Sequence, residues 1–183
     1  MTPHPLSILK TLEERCRLTS TSLPQKTRPR HLWSGVAFRI GSSDLVAAMG
    51  EVVEVLTYPE LSIVPYTCPW VRGIANIRGR LLTVIDLNGY IHGRLTAIGK
   101  RTRVMVAERR GMYSGLVVDE VMGLRHFPQG AFVAELAGTE AALSPYVHQG
   151  FRIEGEQWGI FRLLSLVESP QFLHTAAWGD SRV

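Results

Sequence analysis

Two carboxylates, Asp86 and Asp119, lie inside otherwise apolar runs, LLTVIDL and GLVVDEV, and are the first residues to weigh for chemistry. General acid–base work needs such a group paired with a second carboxylate or a histidine in one pocket, their pKa values held apart. Burying a carboxylate without partners costs roughly several kcal/mol. Each is therefore read as the residue that ends or bends its strand by accepting backbone hydrogen bonds. The histidines, His4, His31, His92, His126, His148 and His174, form no HxH, HExxH or i, i+4 pair, and Cys16 and Cys68 offer no CxxC spacing. Metal sets and dithiol redox chemistry rest on such spacings, and no GxSxG or Walker-type loop is present. The expectation is a chain with no catalytic residue, cofactor or metal, and two free thiols.

The stretch from Trp70 to Leu87, WVRGIANIRGRLLTVIDL, carries a different chemistry. Gly73 and Gly79 punctuate the apolar runs Ile74–Ile77 and Leu81–Ile85, and glycine supplies turn conformations that β-branched neighbours cannot. Arg72, Arg78 and Arg80 then fall at or beside turns, where a guanidinium fork can reach a structural carboxylate or a partner's surface.

The elements that must position these residues are mostly β. Of 183 residues, 45% are apolar and 20% charged, ordinary for a globular chain. Strands are predicted over 33–40, 44–49, 52–57, 73–77, 81–87, 102–107, 114–118, 121–125, 151–154 and 158–164. A helical turn is predicted near Thr67–Val71 and another over Leu163–Glu168, and Ala131–Ala142 is left unassigned. A repeat relates 36–52 to 104–121, each followed by a Gly-turn hairpin, and the offset from Gly79 to Asp86 is the same as from Gly155 to Arg162. Leu6, Leu9, Leu12 and Cys16 form a helical stripe, followed by a Pro-containing basic linker. Trp178 lies in a polar C-terminal stretch and is a candidate exposed contact.

The hairpin VRGIANIRGRLLTVIDL, the segment Glu51–Leu56 and the strand Gly115–Val121 resemble the CheW family of chemotaxis coupling proteins across roughly Trp33 to Val167. The Trp33-Ser34-Gly35 start, the N-terminal segment and the Ala-Asn of the hairpin are most similar to members serving twitching motility and type IV pili. The resemblance implies an all-β fold of two interlocked five-stranded SH3-like barrels. It also implies a cytoplasmic adaptor, associated with membrane-bound receptor arrays, that joins a chemoreceptor's cytoplasmic tip to the regulatory domain of a CheA-type histidine kinase. Receptor-binding positions carried over are Glu54, Arg72, Gly73, Asn76, Arg78 and Gly79. Glu54 and Arg78 match positions that the resemblance implies face each other, as a salt bridge that ties the hairpin to the preceding strand, as a bridge that aims Arg78 at a partner, or as both. Two departures stand out: Arg162 occupies a position that is commonly acidic, and Thr83 one where proline is frequent. The implied organisation is an amphipathic helix and linker over 1–31, the two-barrel domain over 32–174 and a tail over 175–183.

Charge and hydropathy weigh against other partners. Residues 1–31 hold six basic and two acidic side chains, the whole of the net +4, and the body balances 14 against 14. A phosphate binder needs cations clustered on its folded surface, so a nucleic-acid-binding SH3-like barrel is the rival reading, and a small hydrolase the third. No run approaches the ~18 apolar residues that span a bilayer, so no membrane insertion is expected. The N-terminal helix is expected to contact a partner protein. A chain beginning at Leu32 should show no retention on DNA at moderate salt; tight, sequence-selective binding would overturn the adaptor reading.

Overall fold

The computed structural model describes residues 32–173, so the N-terminal helix, the basic linker and Trp178 lie outside the described residues. Eleven strands and three short α-helices follow in chain order. They are β1 (Leu32–Ile40), β2 (Ser43–Ala48), β3 (Glu54–Thr57), β4 (Val71–Ile77), β5 (Arg80–Asp86), α1 (Leu87–His92), β6 (Arg103–Arg109), β7 (Met112–Val118), β8 (Glu120–Pro128), β9 (Phe132–Val133), β10 (Val147–Ile153), β11 (Glu156–Phe161), α2 (Leu163–Val167) and α3 (Pro170–Leu173). They form two curled sheets, ordered β3-β6-β7-β5-β4 and β8-β1-β2-β11-β10-β9, which make up the first and second barrels.

The sequence repeat appears in this topology with its halves exchanged. Replacing β1, β2, β3, β4 and β5 by β6, β7, β8, β10 and β11, and the reverse, turns one sheet order into the other, β9 aside. The β1–β2 hairpin pairs with the β10–β11 hairpin through the parallel contact β2–β11, and β6–β7 pairs with β4–β5 through the parallel contact β5–β7. Each barrel is thus completed by a hairpin from the other half of the chain.

Strand alternation then builds three cores, because successive residues face opposite sides of a sheet. Leu82, Val84, Val104, Val106 and Val117 fill the first barrel. Ala37, Val46, Phe127, Phe151 and Trp158 fill the second. Their neighbours Phe38, Ile85, Met105, Leu116 and Phe161 face outward into a shared core, closed by Leu163, Leu166 and Phe172 of α2 and α3.

All ten predicted strands are present, with revised ends. Leu87 opens α1 instead of ending a strand, because the Asp86 carboxylate caps the helix by accepting from Gly89 N–H at 2.9 Å, and Gly93 closes it in the left-handed region (φ 70°). The helical turn expected over Thr67–Val71 is a single turn in which Val71 N–H donates to the Cys68 carbonyl. The last strand stops at Phe161, before α2. Strand β10 begins at Val147, four residues before its predicted start, because polar His148 and Gln149 lie in a register shift that breaks the alternation. Strand β9, inside the unassigned stretch, has only two residues, too few for any periodic signal.

Asp86 is fully buried and saturated. It accepts from Arg72 Nε (2.9 Å), Gly89 N–H, Thr96 N–H (2.9 Å) and Thr96 Oγ1 (3.0 Å), while Arg72 Nη2 also donates to the Thr96 carbonyl (2.6 Å). The expectation that this carboxylate terminates its strand holds. Asp119 does similar work, accepting from Gly41 N–H at 2.6 Å. Removing one partner of a buried ion pair costs about 3–5 kcal/mol. Asp86→Ala should therefore lower stability by about 3 kcal/mol or more in urea denaturation, and a loss below about 1 kcal/mol would contradict this reading of the network.

Candidate functional site

The tip of the β4–β5 hairpin is a two-residue turn, Arg78-Gly79, with φ of 52° and 83°. Positive φ at both central positions is the type I′ pattern, whose twist matches the flanking strands. Glycine at 79 satisfies it freely, whereas a non-glycine residue in the left-handed region is uncommon. Asn76 stabilises the turn from below, its Oδ1 accepting from Gly79 N–H at 2.8 Å. The turn therefore presents Arg78 from a fixed backbone.

The guanidinium of Arg78 is 82% exposed and lies 3.4 Å from the Glu54 carboxylate, which is 19% exposed. Glu54 is on β3, the opposite edge strand of the same sheet, so the pair spans the curl of the first barrel. The other Glu54 oxygen accepts from the Tyr113 hydroxyl. Arg80 binds Glu108 through both terminal nitrogens (2.7 and 3.1 Å) and stacks over the Tyr113 ring, with its guanidinium carbon 4.1 Å from the centroid. The result is a chain of alternating charges, Arg78–Glu54–Tyr113–Arg80–Glu108, supported by four strands.

This linkage shifts the groups in it. Donation to Glu54, reinforced by desolvation, raises the Tyr113 phenol above the ordinary tyrosine value. The Glu108 carboxyl is lowered by its bonds to Arg80, whose own guanidinium is raised by the same contact.

Of the six positions marked in the sequence, the structure brings together Glu54, Asn76, Arg78 and Gly79. Arg72 and Gly73 lie toward the other end of β4, with Arg72 roughly 20 Å from Arg78 at about 3.3 Å per residue. Arg72 turns inward to Asp86, with its side chain 20% exposed. Gly73 has φ 139°, and a Cβ there would sit 2.5 Å from the Ser62 carbonyl oxygen, so the Ser62–Ile74 bridge needs glycine. Sequence reasoning missed Tyr113 and Glu108. The two-residue turn Arg110-Gly111 was the available signal, since it sets Glu108 directly opposite Tyr113.

Among the described residues, no cluster of three or more His, Cys, Asp or Glu is placed to hold a metal, and no helix is long and apolar enough to cross a membrane. Neither Asp86 nor Asp119 has a histidine among its hydrogen-bond partners there. Cys68 is a buried free thiol whose pKa burial raises.

The profile of the CheW-like domain matches residues 34–171. The chain belongs to the CheW family. It is 40% identical to protein PilI of Pseudomonas aeruginosa over 172 residues, covering 94% of this chain and 96% of that protein. It is 33% identical to protein FrzA of Myxococcus xanthus over 105 residues, covering 57% of this chain and 66% of FrzA. The crystal structure of the scaffolding protein TtCheW from Thermoanaerobacter tengcongensis superimposes with a TM-score of 0.65 at 22% identity, covering 76% of this chain and 94% of that one, which shows the shared fold. As a CheW-like protein, the chain is of the scaffold type found in chemosensory pathways. Its departures from the family pattern have clear local consequences: Thr83 is accommodated within β5, and Arg162 leaves α2 without a cap of its own.

Tyr113 is held neutral by donating to Glu54, so the stability from this contact is full below the ordinary tyrosine value of 10.0 and is lost as pH rises toward the raised value. In ultraviolet titration, the component removed by Tyr113→Phe should ionise above pH 10, and Glu54→Gln should bring it down. An unmoved component would exclude the Glu54 contact as the cause.

Proposed function

We propose that this CheW-family chain couples the cytoplasmic tip of a methyl-accepting chemoreceptor to the regulatory domain of a CheA-type histidine kinase. The pathway is the one that governs type IV pilus twitching, and the chain acts in the cytoplasm at membrane-bound receptor arrays. The observation that carries this reading is the Arg78 turn: an exposed guanidinium on a rigid hairpin, oriented by a half-buried carboxylate. The likeness to PilI along nearly its whole length supports the twitching pathway.

Beside the turn, the outer face of β5 and β7 continues the shared core toward solvent. Leu81, Thr83, Met112 and Phe172 line a cavity of about 230 Å³ there, and Leu81 is 70% exposed. An apolar strip bordered by a fixed charge suits the side of a helical hairpin, which offers apolar residues at helical spacing. Receptor helices would lie along this strip with Arg78 and Asn76 at its margin, and the kinase would dock on other barrel surfaces. Coupling then follows from geometry, because holding both partners on one body raises their effective concentration and lets receptor movement bias the kinase.

The exposed Arg78–Glu54 pair contributes at most about 1 kcal/mol to folding, whereas an arginine desolvated at an interface is worth about 2 kcal/mol or more. Arg78→Glu should therefore weaken binding to a receptor-tip fragment at least tenfold with little change in melting temperature. Adding Glu54→Arg should restore part of the affinity. Unchanged affinity in the single variant would refute the assignment of this turn.

A further inference from the structure

The outer face of the first barrel ends in a row of four side chains, one from each of four neighbouring strands. Asn76 of β4 pairs with Leu81 of β5, and Arg109 of β6 pairs with Met112 of β7. Carrying the parallel register back two residues from Thr83 and Ser114 sets Leu81 beside Met112. Residues directly opposite each other share a face of the sheet, so this apolar pair is flanked by Asn76 on one side and Arg109 on the other. Asn76 adjoins the Arg78 turn. Arg109 adjoins a second turn of the same kind, Arg110-Gly111, with φ of 50° and 79°.

The charges about these two turns do not cancel. Four guanidiniums, those of Arg78, Arg80, Arg109 and Arg110, meet three carboxylates, those of Glu54, Glu108 and Glu168. Arg80 donates to both oxygens of Glu108, and Arg109 Nε donates to Glu168 Oε1 at 2.8 Å. Arg110 lies 3.4 Å from that same oxygen, which Arg109 already engages, and its side chain is 78% exposed. One carboxylate thus serves two arginines, and one positive charge is left over. Neither Arg78 nor Arg110 donates a side-chain hydrogen bond among the described residues, so both guanidinium forks face outward with their donors unused.

Arg110 also stands where glycine would be the easier residue. Among the described residues only Tyr66, Arg78, Arg110 and Glu154 are non-glycine residues in the left-handed region, and two of these four tip this row. A side chain held in that conformation is strained, and such strain gathers at functional sites. From Asn76 in β4 to Arg109 in β6 is three strand spacings, roughly 14 Å at about 4.8 Å each. A helix with its side chains is about 10–12 Å across. One helix seated on Leu81 and Met112 therefore lies between the two turns, its flanks within reach of both arginines.

We infer that Arg110 is a second docking residue of the receptor contact, on the margin opposite Arg78, and that the helix received between them carries acidic side chains on both flanks of its apolar stripe. The stripe covers Leu81 and Met112. An acid on one flank meets Arg78, and an acid on the other draws Arg110 away from the carboxylate it shares, each through charge-assisted N–H to oxygen bonds. Residues three before and three after an apolar residue fall about 60° to either side of it on a helix, so the sequence sought in the partner is acid-x-x-apolar-x-x-acid. A helix with basic flanks would add to the surplus positive charge and leave both forks unbonded. The inference rests on the adaptor reading for the identity of the partner; it adds a residue that is not among the positions carried over from the family, and a demand on the partner's sequence.

The test measures calorimetric binding of the full chain to a helical-hairpin fragment from the cytoplasmic tip of a methyl-accepting chemoreceptor, with the melting temperature of every variant. Arg110→Gly relaxes the left-handed position, so it should keep or raise the melting temperature and yet weaken binding about fivefold; Arg110→Glu should weaken it at least tenfold. Arg101→Gln should leave binding unchanged, because Arg101 is just as exposed (78%) and as loosely paired (3.5 Å) but lies beyond the other end of β6. Each acidic residue of the fragment is then reversed to lysine in turn. One reversal should restore binding to Arg110→Glu and not to Arg78→Glu, and a different one, on the other flank of the fragment's apolar stripe, should restore Arg78→Glu. Binding by Arg110→Gly within twofold of the unaltered chain, an equal loss in Arg101→Gln, no restoring reversal for Arg110→Glu, or one reversal restoring both variants would each overturn the inference while the Arg78 assignment stands. A fragment that fails to bind the unaltered chain would instead remove the receptor reading, and this inference with it.

Discussion

Two parallel strand contacts, β2 with β11 and β5 with β7, hold the molecule in its present form, because through them each half of the chain completes the other half's barrel. Neither barrel can be assembled from one contiguous half. The outward faces of the exchanged hairpins meet in the shared core around Phe38, Ile85, Leu116 and Phe161. The coupling role proposed above needs such a constraint, since a loose linkage between the barrels would absorb the movement to be conveyed.

On this common frame the two barrels have diverged in charge. The first carries Arg78 and Arg80 about its hairpin turn and seals its end with Arg72 and Asp86. The second carries Glu154 and Glu156 at the equivalent turn and an exposed Arg162 at the position that corresponds to Asp86. A duplicated architecture thus supplies two different surfaces.

Much of the framework was legible in the sequence because it is carried by local signals. The Gly-turn hairpins, the alternating runs and the equal offsets from Gly79 to Asp86 and from Gly155 to Arg162 located the strands and the repeat. The strand-ending role of Asp86 followed from the cost of burying a lone carboxylate, and the structure supplies the amides that bear it out. The interlocking of the barrels came only from the family resemblance, since parallel pairing between residues far apart in sequence leaves no local trace. Helix α1 was missed because its six residues are too few for a helical period, and the start of β10 was misplaced because its register shift interrupts the alternation. At the candidate site, Glu54 and Arg78 were paired from the family resemblance, whereas the link through Tyr113 and Glu108 depends on the curl of the sheet.

The central claim is that the interlocked barrels move as one body, and native-state hydrogen exchange at increasing urea tests it most directly. The amides of Val46 in β2, Ile160 in β11, Val84 in β5 and Val117 in β7 should converge on a single opening free energy with a single urea dependence. Exchange of one barrel's strands through a smaller opening, with the other barrel still protected, would show that the barrels open independently and would contradict the account.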